Sequence, residues 1–222
     1  MIHTTLARIA SIQVGLPKRH GYANATDPME QVWTSGILKE PVVGRVNVGK
    51  LNIEGDGQAD LAHHGGLDKA VLAYSADHYK SWQNELEIGD MAYGGFGENL
   101  TIQGLTENDV CIGDLWRAND VLFQVSQPRR PCWKLGRRWQ RSDLLKRVVQ
   151  TGRSGWYLRV FRERVLESGM TITLEKRLYP QWTVARTSTL MHDKRVDPEA
   201  VAALAELNEL STTWRDGFAR NL

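Results

Sequence analysis

Residues 121–135 read VLFQVSQPRRPCWKL, and this stretch joins a strand to a reactive side chain. Val121, Phe123 and Val125 alternate with Leu122, Gln124 and Ser126, which is the period-2 pattern of a β-strand. Two prolines then predict irregular backbone over 127–131, because each proline lacks a backbone donor and restricts the residue before it. The stretch therefore predicts a strand that ends beside a cysteine, Cys132, in basic surroundings.

Strand patterns recur on both sides of this stretch. Strands are predicted over 8–14, 42–48, 99–103, 110–117, 120–126, 156–161 and 170–174. Helices are predicted over 141–150 and over 69–86, where four apolar or aromatic residues recur at helical spacing. This order predicts a mainly β, α+β body rather than a series of alternating βαβ units.

After Pro180 the pattern changes to short helices. They are predicted over 183–191, 197–210 and 211–222. Asp197 and Ser211 are suitable N-caps for the second and third of them. The sequence therefore predicts two domains, a β-rich domain over 1–179 and a small three-helix appendage over 180–222.

Composition excludes several classes of protein. The 222 residues are 41% hydrophobic and 24% charged, which excludes a disordered or fibrous chain. Two cysteines are too few for a disulfide scaffold or a four-cysteine metal site. No run of about 18 apolar residues predicts a membrane span, and no signal-peptide pattern is present. A cytoplasmic protein without a membrane partner is expected.

The charge is unevenly distributed along the chain. Residues 127–164 contain twelve basic and two acidic side chains, a local charge of +10, whereas the rest carries −8. A field of this size suits an anionic ligand, such as a phosphate-bearing cofactor or a nucleic acid. The alternative is that many of these cations lie on a solvated helix face.

Cys132 is the first candidate for chemistry. Arg129, Arg130 and Lys134 flank it and favour a thiolate electrostatically. A thiolate can act as a nucleophile, a redox centre or a ligand to a soft metal. Cys111 lies between two aliphatic residues and is expected to be an inert core residue.

Two glycine-rich segments supply further candidates. Residues 55–69, GDGQADLAHHGGLDK, crowd carboxylates, imidazoles and a lysine before the predicted helix, and they predict a ligand-binding loop. A metal site or a polar loop in which Asp68 caps the helix are the alternatives. Residues 94–101, GGFGENLT, would expose backbone N–H groups and two polar side chains, or form a flexible turn.

Five motifs, in this order along the chain, resemble the MOSC domain family, named for the C-terminal domain of molybdenum cofactor sulfurases. They lie within 34–42, 60–70, 97–100, 126–135 and 155–160. Within the family they resemble the stand-alone YiiM-type proteins, and the helical tail resembles the extension that those members carry. The resemblance implies a β-barrel-like domain followed by three helices.

The resemblance also implies a cofactor and an activity. The cofactor is the molybdenum cofactor, Mo-molybdopterin, with Cys132 as the protein ligand to the metal. The activity is reduction of N-hydroxylated compounds, such as 6-N-hydroxylaminopurine and related base analogues, to amines with release of water. Because no flavin or nicotinamide fingerprint occurs, the electrons are expected from a separate flavoprotein or ferredoxin-type donor.

Roles for the other candidates follow from the same resemblance. The cations that would hold the pterin and its phosphate are Arg129, Arg130, Lys69, Lys39 and Arg159. The residues that would line the cofactor are His63, His64, Gly65 and Gly66. The candidates for pterin hydrogen bonds or catalytic proton delivery are Asp60, Glu98 and Asn99.

Three other functions stay open on the sequence alone. Cys132 could carry a persulfide in a protein that handles sulfur or the molybdenum cofactor. The cations of 127–164 could bind nucleic acid, with nearby aromatic residues stacking on bases, although these aromatics fit a core equally well. A metal-free thiol enzyme built on Cys132 is the third. The helical appendage could dock the electron donor, mediate dimerisation or cover the core.

Overall fold

The computed structural model of the chain describes residues 5–193 and 197–220. The strands are β1 (Thr5–Val14), β2 (Lys18–His20), β3 (Trp33–Ser35), β4 (Glu40–Pro41), β5 (Arg45–Val48), β6 (Val71–Ser75), β7 (Leu100–Gln103), β8 (Leu115–Ala118), β9 (Val121–Pro128), β10 (Trp156–Arg162), β11 (Arg164–Glu167) and β12 (Thr171–Lys176). The helices are α1 (Leu61–His64), α2 (Tyr79–Leu86), α3 (Lys134–Trp139), α4 (Leu144–Thr151), α5 (Val184–His192), α6 (Pro198–Ala205) and α7 (Thr212–Ala219).

Seven of these strands close into a barrel. They are hydrogen-bonded in the order β12-β8-β9-β10-β6-β7-β1, and β12 pairs back to β1. The pair β6–β7 is parallel, whereas the other neighbours in the ring are antiparallel. The predicted mainly β, barrel-like α+β body is therefore confirmed.

Apolar side chains fill the barrel. Phe123 and Val125 of β9 are almost fully buried, as their alternation predicts. The indole rings of Trp116 and Trp156 meet edge-to-face in the same core, with centroids 6.0 Å apart. A second apolar cluster packs α2 against the glycine-rich segment 94–97. The packed barrel core thus supports the end of β9.

The predicted helix over 69–86 is wrong in its first half. Residues 71–75 form the strand β6, and the helix α2 begins only at Tyr79. Every side chain of β6 is buried, because the strand lies between β10 and β7 in the closed barrel. A fully buried strand lacks the period-2 alternation, so periodicity alone cannot separate it from a buried helix.

Other boundaries also differ from the sequence prediction. The irregular backbone predicted from 127 begins only after Pro128, where β9 ends. The strands predicted over 42–48 and 110–117 are shorter, because turns at Gly44 (φ +79°) and Gly113 (φ +82°) precede β5 and β8.

Six elements have no counterpart in the sequence prediction: β2, β3, β4, β11, α1 and α3. The helix predicted over 141–150 is α4, which buries Leu144 and Val148. Val149 of α4 is 41% exposed. The six unpredicted elements are two to six residues long, which is too short to show a clear apolar period.

The three predicted C-terminal helices are α5, α6 and α7. Asp197 caps α6 by accepting a hydrogen bond from Ala200 N (2.9 Å), and Ser211 caps α7 by accepting one from Trp214 N (3.4 Å). Their apolar side chains join the same continuous core as the barrel. The division into 1–179 and 180–222 stays a prediction.

The helix α6 ends at Ala205, earlier than predicted, and α7 ends at Ala219. The last two residues of the helix predicted over 211–222 lie outside the described residues. Among the described helices, none combines the length and the apolar character that crossing a membrane requires.

Candidate functional site

A cleft open to solvent is built mainly from four separated segments of the chain, within 35–39, 56–64, 96–99 and 129–134. Seven predicted site residues line it: Cys132, Arg129, Lys39, Lys69, His64, Asp60 and Asn99. The fold therefore brings together side chains from all the motifs that the sequence analysis singled out.

Cys132 lies in the turn between β9 and α3, at the wall of the cleft. The residue is half-buried and forms no disulfide. Its carbonyl accepts a hydrogen bond from Leu135 N (3.1 Å), which fixes the turn. Cys111 lies instead in the core, as predicted, and burial raises the pKa of its thiol to about 11. Cys132 is thus the thiol that a ligand in the cleft can reach.

The guanidinium of Arg129 is buried in the cleft, and not all of its nitrogens have a hydrogen-bond partner among the described residues. The residue is 6% exposed, and its Nη1 has no hydrogen-bond partner among the described residues. Its backbone N–H donates to the Gly155 carbonyl (3.0 Å), which anchors the residue where β9 ends. A buried cation with unsatisfied N–H groups is costly, so the arrangement favours an anionic ligand.

A buried ion pair forms another part of the wall. Lys39 Nζ contacts Asp56 Oδ1, and both side chains are almost fully buried. Asp56 also accepts hydrogen bonds from Gly15 N (2.9 Å) and Asn99 Nδ2 (2.9 Å). Asn99 Oδ1 accepts the Leu72 N–H (3.0 Å), which ties the network to β6. Burial lowers the pKa of Lys39, and the nearby Asp56 carboxylate opposes that shift.

Sequence reasoning did not single out Asp56 as a site residue. An aspartate between two glycines has the composition of a turn, and turns are usually exposed. The carboxylate is buried only because Lys39 and Asn99 converge on it from distant parts of the chain. Lys134 also lines the cleft, and its position close to Cys132 in the sequence could have identified it as a site residue.

Two other cleft residues have lowered pKa values. Burial, together with the positive charges of Arg129 and Lys134, lowers the pKa of His64 to about 4. The imidazole is therefore neutral at pH 7 and has one donor and one acceptor nitrogen. Burial also lowers the pKa of Lys69, whose Nζ donates to the His63 carbonyl (2.7 Å).

Glu98 lies outside the lining of the cleft. Its carboxylate is fully buried and accepts the N–H groups of Gly94 (2.8 Å) and Phe96 (3.1 Å). The hydroxyls of Thr101 (2.9 Å) and Tyr79 donate to it as well. The structure thus places Glu98 where it fixes the glycine-rich segment whose residues form part of the cleft wall.

The helix α1 brings His64 to the cleft but leaves His63 exposed. Asp60 caps α1 by accepting the His63 N–H (3.1 Å), and its second oxygen meets His63 Nδ1 (2.9 Å). These hydrogen bonds lower the pKa of Asp60. Gly65 and Gly66 follow the helix, and Gly66 has φ +94°, so they shape the turn without lining the cleft.

Arg130 and Arg159 contact the helical extension rather than the cleft. The guanidinium of Arg130 lies over the Trp214 ring, 4.7 Å from its centroid. Arg159 Nε donates to Asp68 Oδ1 (2.5 Å), and Arg159 Nη1 donates to the Glu209 carbonyl (2.5 Å). Both arginines therefore bridge the barrel and the C-terminal helices.

Comparisons with known proteins agree with this architecture. Residues 60–173 match the MOSC domain, and residues 182–222 match the YiiM-like, 3-alpha helix domain. The uncharacterized protein YflK of Bacillus subtilis (strain 168) is 39% identical over 186 residues, which is 84% of each chain. The chain belongs to the MOSC domain family.

Two other relatives define its place in the family. The crystal structure of YiiM from Geobacillus stearothermophilus matches with a TM-score of 0.79 at 37% identity, over 97% of this chain and 99% of that chain. A protein of Gibberella moniliformis (strain M3125 / FGSC 7600) named Reductase is 37% identical over 81% of this chain, but the match covers 32% of that longer protein. The resemblance to YiiM-type MOSC proteins is confirmed.

In this MOSC chain the cations of 127–164 serve different purposes. Arg129 and Lys134 line the cleft, whereas Arg147 pairs with Asp143 (2.6 Å) on the surface of α4. The local charge of +10 is thus divided between the cleft, surface ion pairs and bridges between elements.

The aromatic residues of the same segment do not form a continuous stacking surface. Trp156 and Tyr157 are buried in the core, and Trp139 is half-buried with its Nε1 donating to Gly95 O (2.8 Å). Trp133 is 51% exposed. A nucleic-acid-binding face would need a row of exposed aromatics, so the core interpretation accounts for most of them.

Proposed function

We propose that this chain binds the molybdenum cofactor in the cleft and reduces N-hydroxylated compounds to amines. The observation that carries the proposal is the presence in one cleft of the Cys132 thiol and the buried, incompletely partnered guanidinium of Arg129. A soft metal prefers a thiolate, and an anionic pterin phosphate prefers a buried cation. The cleft offers both.

The donor set of the cleft fits the cofactor. Cys132 would ligate molybdenum through Sγ, and Arg129 Nη1 would donate to the pterin phosphate. Lys69 and Lys134 would add positive charge beside it. His64, neutral at pH 7, would hydrogen-bond the pterin without adding charge. When bound, the cofactor supplies the two-electron chemistry that cleaves the N–O bond.

The chain itself would supply and conduct protons. Reduction of one N–OH group to N–H consumes two electrons and two protons and releases one water. Lys39 is a candidate proton donor, because its ammonium group lines the cleft and burial lowers its pKa. Asp56, itself held by Asn99, would keep that group in place, and the ionised Asp60 at the cleft wall would accept a hydrogen bond from the pterin.

The substrates that we propose are 6-N-hydroxylaminopurine and related base analogues, and the proposed location is the cytoplasm. A separate flavoprotein or ferredoxin-type protein would deliver the electrons. The relative named Reductase supports the class of reaction, and the absence of a flavin or nicotinamide fingerprint in the sequence supports an external donor.

An activity assay tests this proposal. The chain, expressed in a host that makes the cofactor, is given 6-N-hydroxylaminopurine with dithionite-reduced methyl viologen as an artificial electron donor. We expect one amine formed per two electrons consumed, loss of activity in Cys132→Ser, and retention of activity in Cys111→Ser. A molybdenum-loaded chain that leaves the substrate unchanged would refute the proposed activity.

A further inference from the structure

The helices that follow the barrel contact residues next to the cleft through two arginines. The first is Arg130, which directly follows the cleft residue Arg129. Its guanidinium stacks over Trp214 of α7. A Cβ added at Gly217 would lie 3.2 Å from Arg130 Nη2, so this glycine leaves the space that the stacked guanidinium needs.

The second arginine is Arg159 of β10. One of its nitrogens donates to the side chain of Asp68, the residue before the cleft residue Lys69. Another donates to the carbonyl of Glu209, in the turn between α6 and α7. A single guanidinium therefore links the helical extension to the turn that carries Lys69.

A third connection runs along the backbone. Ser211 N, at the start of α7, donates to the Ser126 carbonyl of β9 (3.0 Å). Ser126 Oγ in turn donates to the Asp68 carbonyl (2.6 Å). The turn between α6 and α7 thus lies against the strand that leads to Cys132.

The segment that follows β9 can transmit these contacts. Pro128 and Pro131 restrict the backbone on both sides of Arg129 and Arg130. Fixing the side chain of Arg130 on the extension therefore also fixes the direction in which Arg129 and Cys132 project.

We propose that the three-helix extension is a positioning element of the cleft. Through Arg130 and Arg159 it holds the segment from Arg129 to Cys132 and the turn that carries Lys69. This inference rests on the proposed function only in taking the cleft as the cofactor site. It assigns the extension a role beyond covering the core.

Hydrogen exchange of the full-length, cofactor-free chain tests the inference with Arg130→Gln. The matched control is Arg186→Gln, because Arg186 also stacks on a tryptophan, Trp182, at 4.7 Å, but within the extension, and neither residue lines the cleft. We expect exchange of residues 129–134 to rise about fivefold in Arg130→Gln, as for loss of one stacking contact. The control should exchange like the wild type, and both variants should unfold at similar temperatures.

A second variant changes the same contact by a substitution in α7. A Cβ at Gly217 would lie 3.1 Å from Met191 Cε and 3.2 Å from Arg130 Nη2, so Gly217→Ala should shift the guanidinium and raise exchange of residues 129–134 less than Arg130→Gln does. Equal exchange in Arg130→Gln and in the Arg186→Gln control would overturn the inference. So would global unfolding of both Arg130→Gln and Gly217→Ala, because a positioning contact leaves the fold intact.

Molybdenum content separates this inference from the proposed function. With cofactor-loaded chain, we expect Arg130→Gln to lose molybdenum during dialysis several-fold faster than the Arg186→Gln control. If the wild type holds no molybdenum but local exchange still rises in Arg130→Gln, the positioning role stands and the proposed function fails. If the wild type holds molybdenum and Arg130→Gln retains it like the control, the inference fails.

Discussion

The Nη1 atom of Arg129 is enclosed by the cleft wall with no hydrogen-bond partner among the described residues. An unsatisfied donor on a buried charged group costs roughly 1–3 kcal/mol or more. The backbone hydrogen bond to Gly155 and the neighbouring prolines direct the side chain inward despite this cost. A residue held in an unfavourable position is characteristic of a binding site, where a ligand satisfies it.

The substitution Arg129→Met separates stability from binding. We expect the free energy of unfolding of the cofactor-free chain to rise by about 1–2 kcal/mol, because an apolar side chain removes the buried charge. Urea unfolding measures this change, with the more exposed Arg137→Met as the control. The same variant should lose the cofactor. A destabilised Arg129→Met chain would show that the guanidinium is satisfied without a ligand.

His64 gives an expected pH dependence. Its pKa is lowered from 6.5 to about 4 in the folded chain, chiefly by burial, so the unfolded chain binds more protons between these values. The neutral His64 is therefore fully compatible with the folded chain above pH 6.5. As the pH falls from 6.5 toward 4, protonation of His64 in the unfolded chain lowers the free energy of unfolding.

Urea unfolding across that range provides the measurement. We expect His64→Gln to lose less stability than the wild type between pH 6.5 and 4, and His192→Gln, which is exposed at the end of α5, to follow the wild type. Parallel curves for the wild type and His64→Gln would contradict the burial of a neutral imidazole in the cleft.

At the scale of elements, the sequence predicts strands whose residues alternate in polarity better than strands of mainly apolar residues. β9 alternates in polarity, and its position is confirmed. β6 is buried on both faces, so its residues fit a helix as well as a strand. The three capped C-terminal helices are confirmed, because caps give boundaries that do not depend on tertiary packing.

The candidate site was predictable only where one motif carries several polar side chains. Cys132 and Arg129 stand together in the sequence, and both line the cleft. Glu98 and Arg159 carry equally suggestive charges but bind backbone groups and other elements instead. Sequence spacing does not show which side of an element a charged residue faces once the barrel has closed.

Close contact between two loops sets the width of the cleft. A Cβ at Gly36 would lie 2.3 Å from the Gly57 carbonyl oxygen, and both glycines line the cleft. We expect Gly36→Ala to lower the free energy of unfolding by about 1–3 kcal/mol, because the loops must move apart. Gly89→Ala is the control, since nothing lies within 4 Å of its added Cβ. Thermal unfolding compares the two, and equal midpoints would disprove the close packing.

At the scale of the whole molecule, the closed barrel and the helical extension share one apolar core. The barrel brings distant motifs to one cleft, and the extension contacts the residues behind that cleft. The match to YiiM from Geobacillus stearothermophilus over 97% of this chain shows that both parts recur together in a relative. This recurrence agrees with a single unit around the cleft, to which both the barrel and the extension contribute.

The molybdenum content per chain shows whether Cys132 ligates the metal of a cofactor in the cleft. The wild type, Cys132→Ser and Cys111→Ser are expressed in a host that makes the cofactor, and elemental analysis is done on each. We expect near-stoichiometric molybdenum in the wild type and in Cys111→Ser, and loss of the metal in Cys132→Ser. Equal molybdenum in Cys132→Ser and the wild type, or none in the wild type, would contradict the account of the cleft as a thiolate-ligated cofactor site.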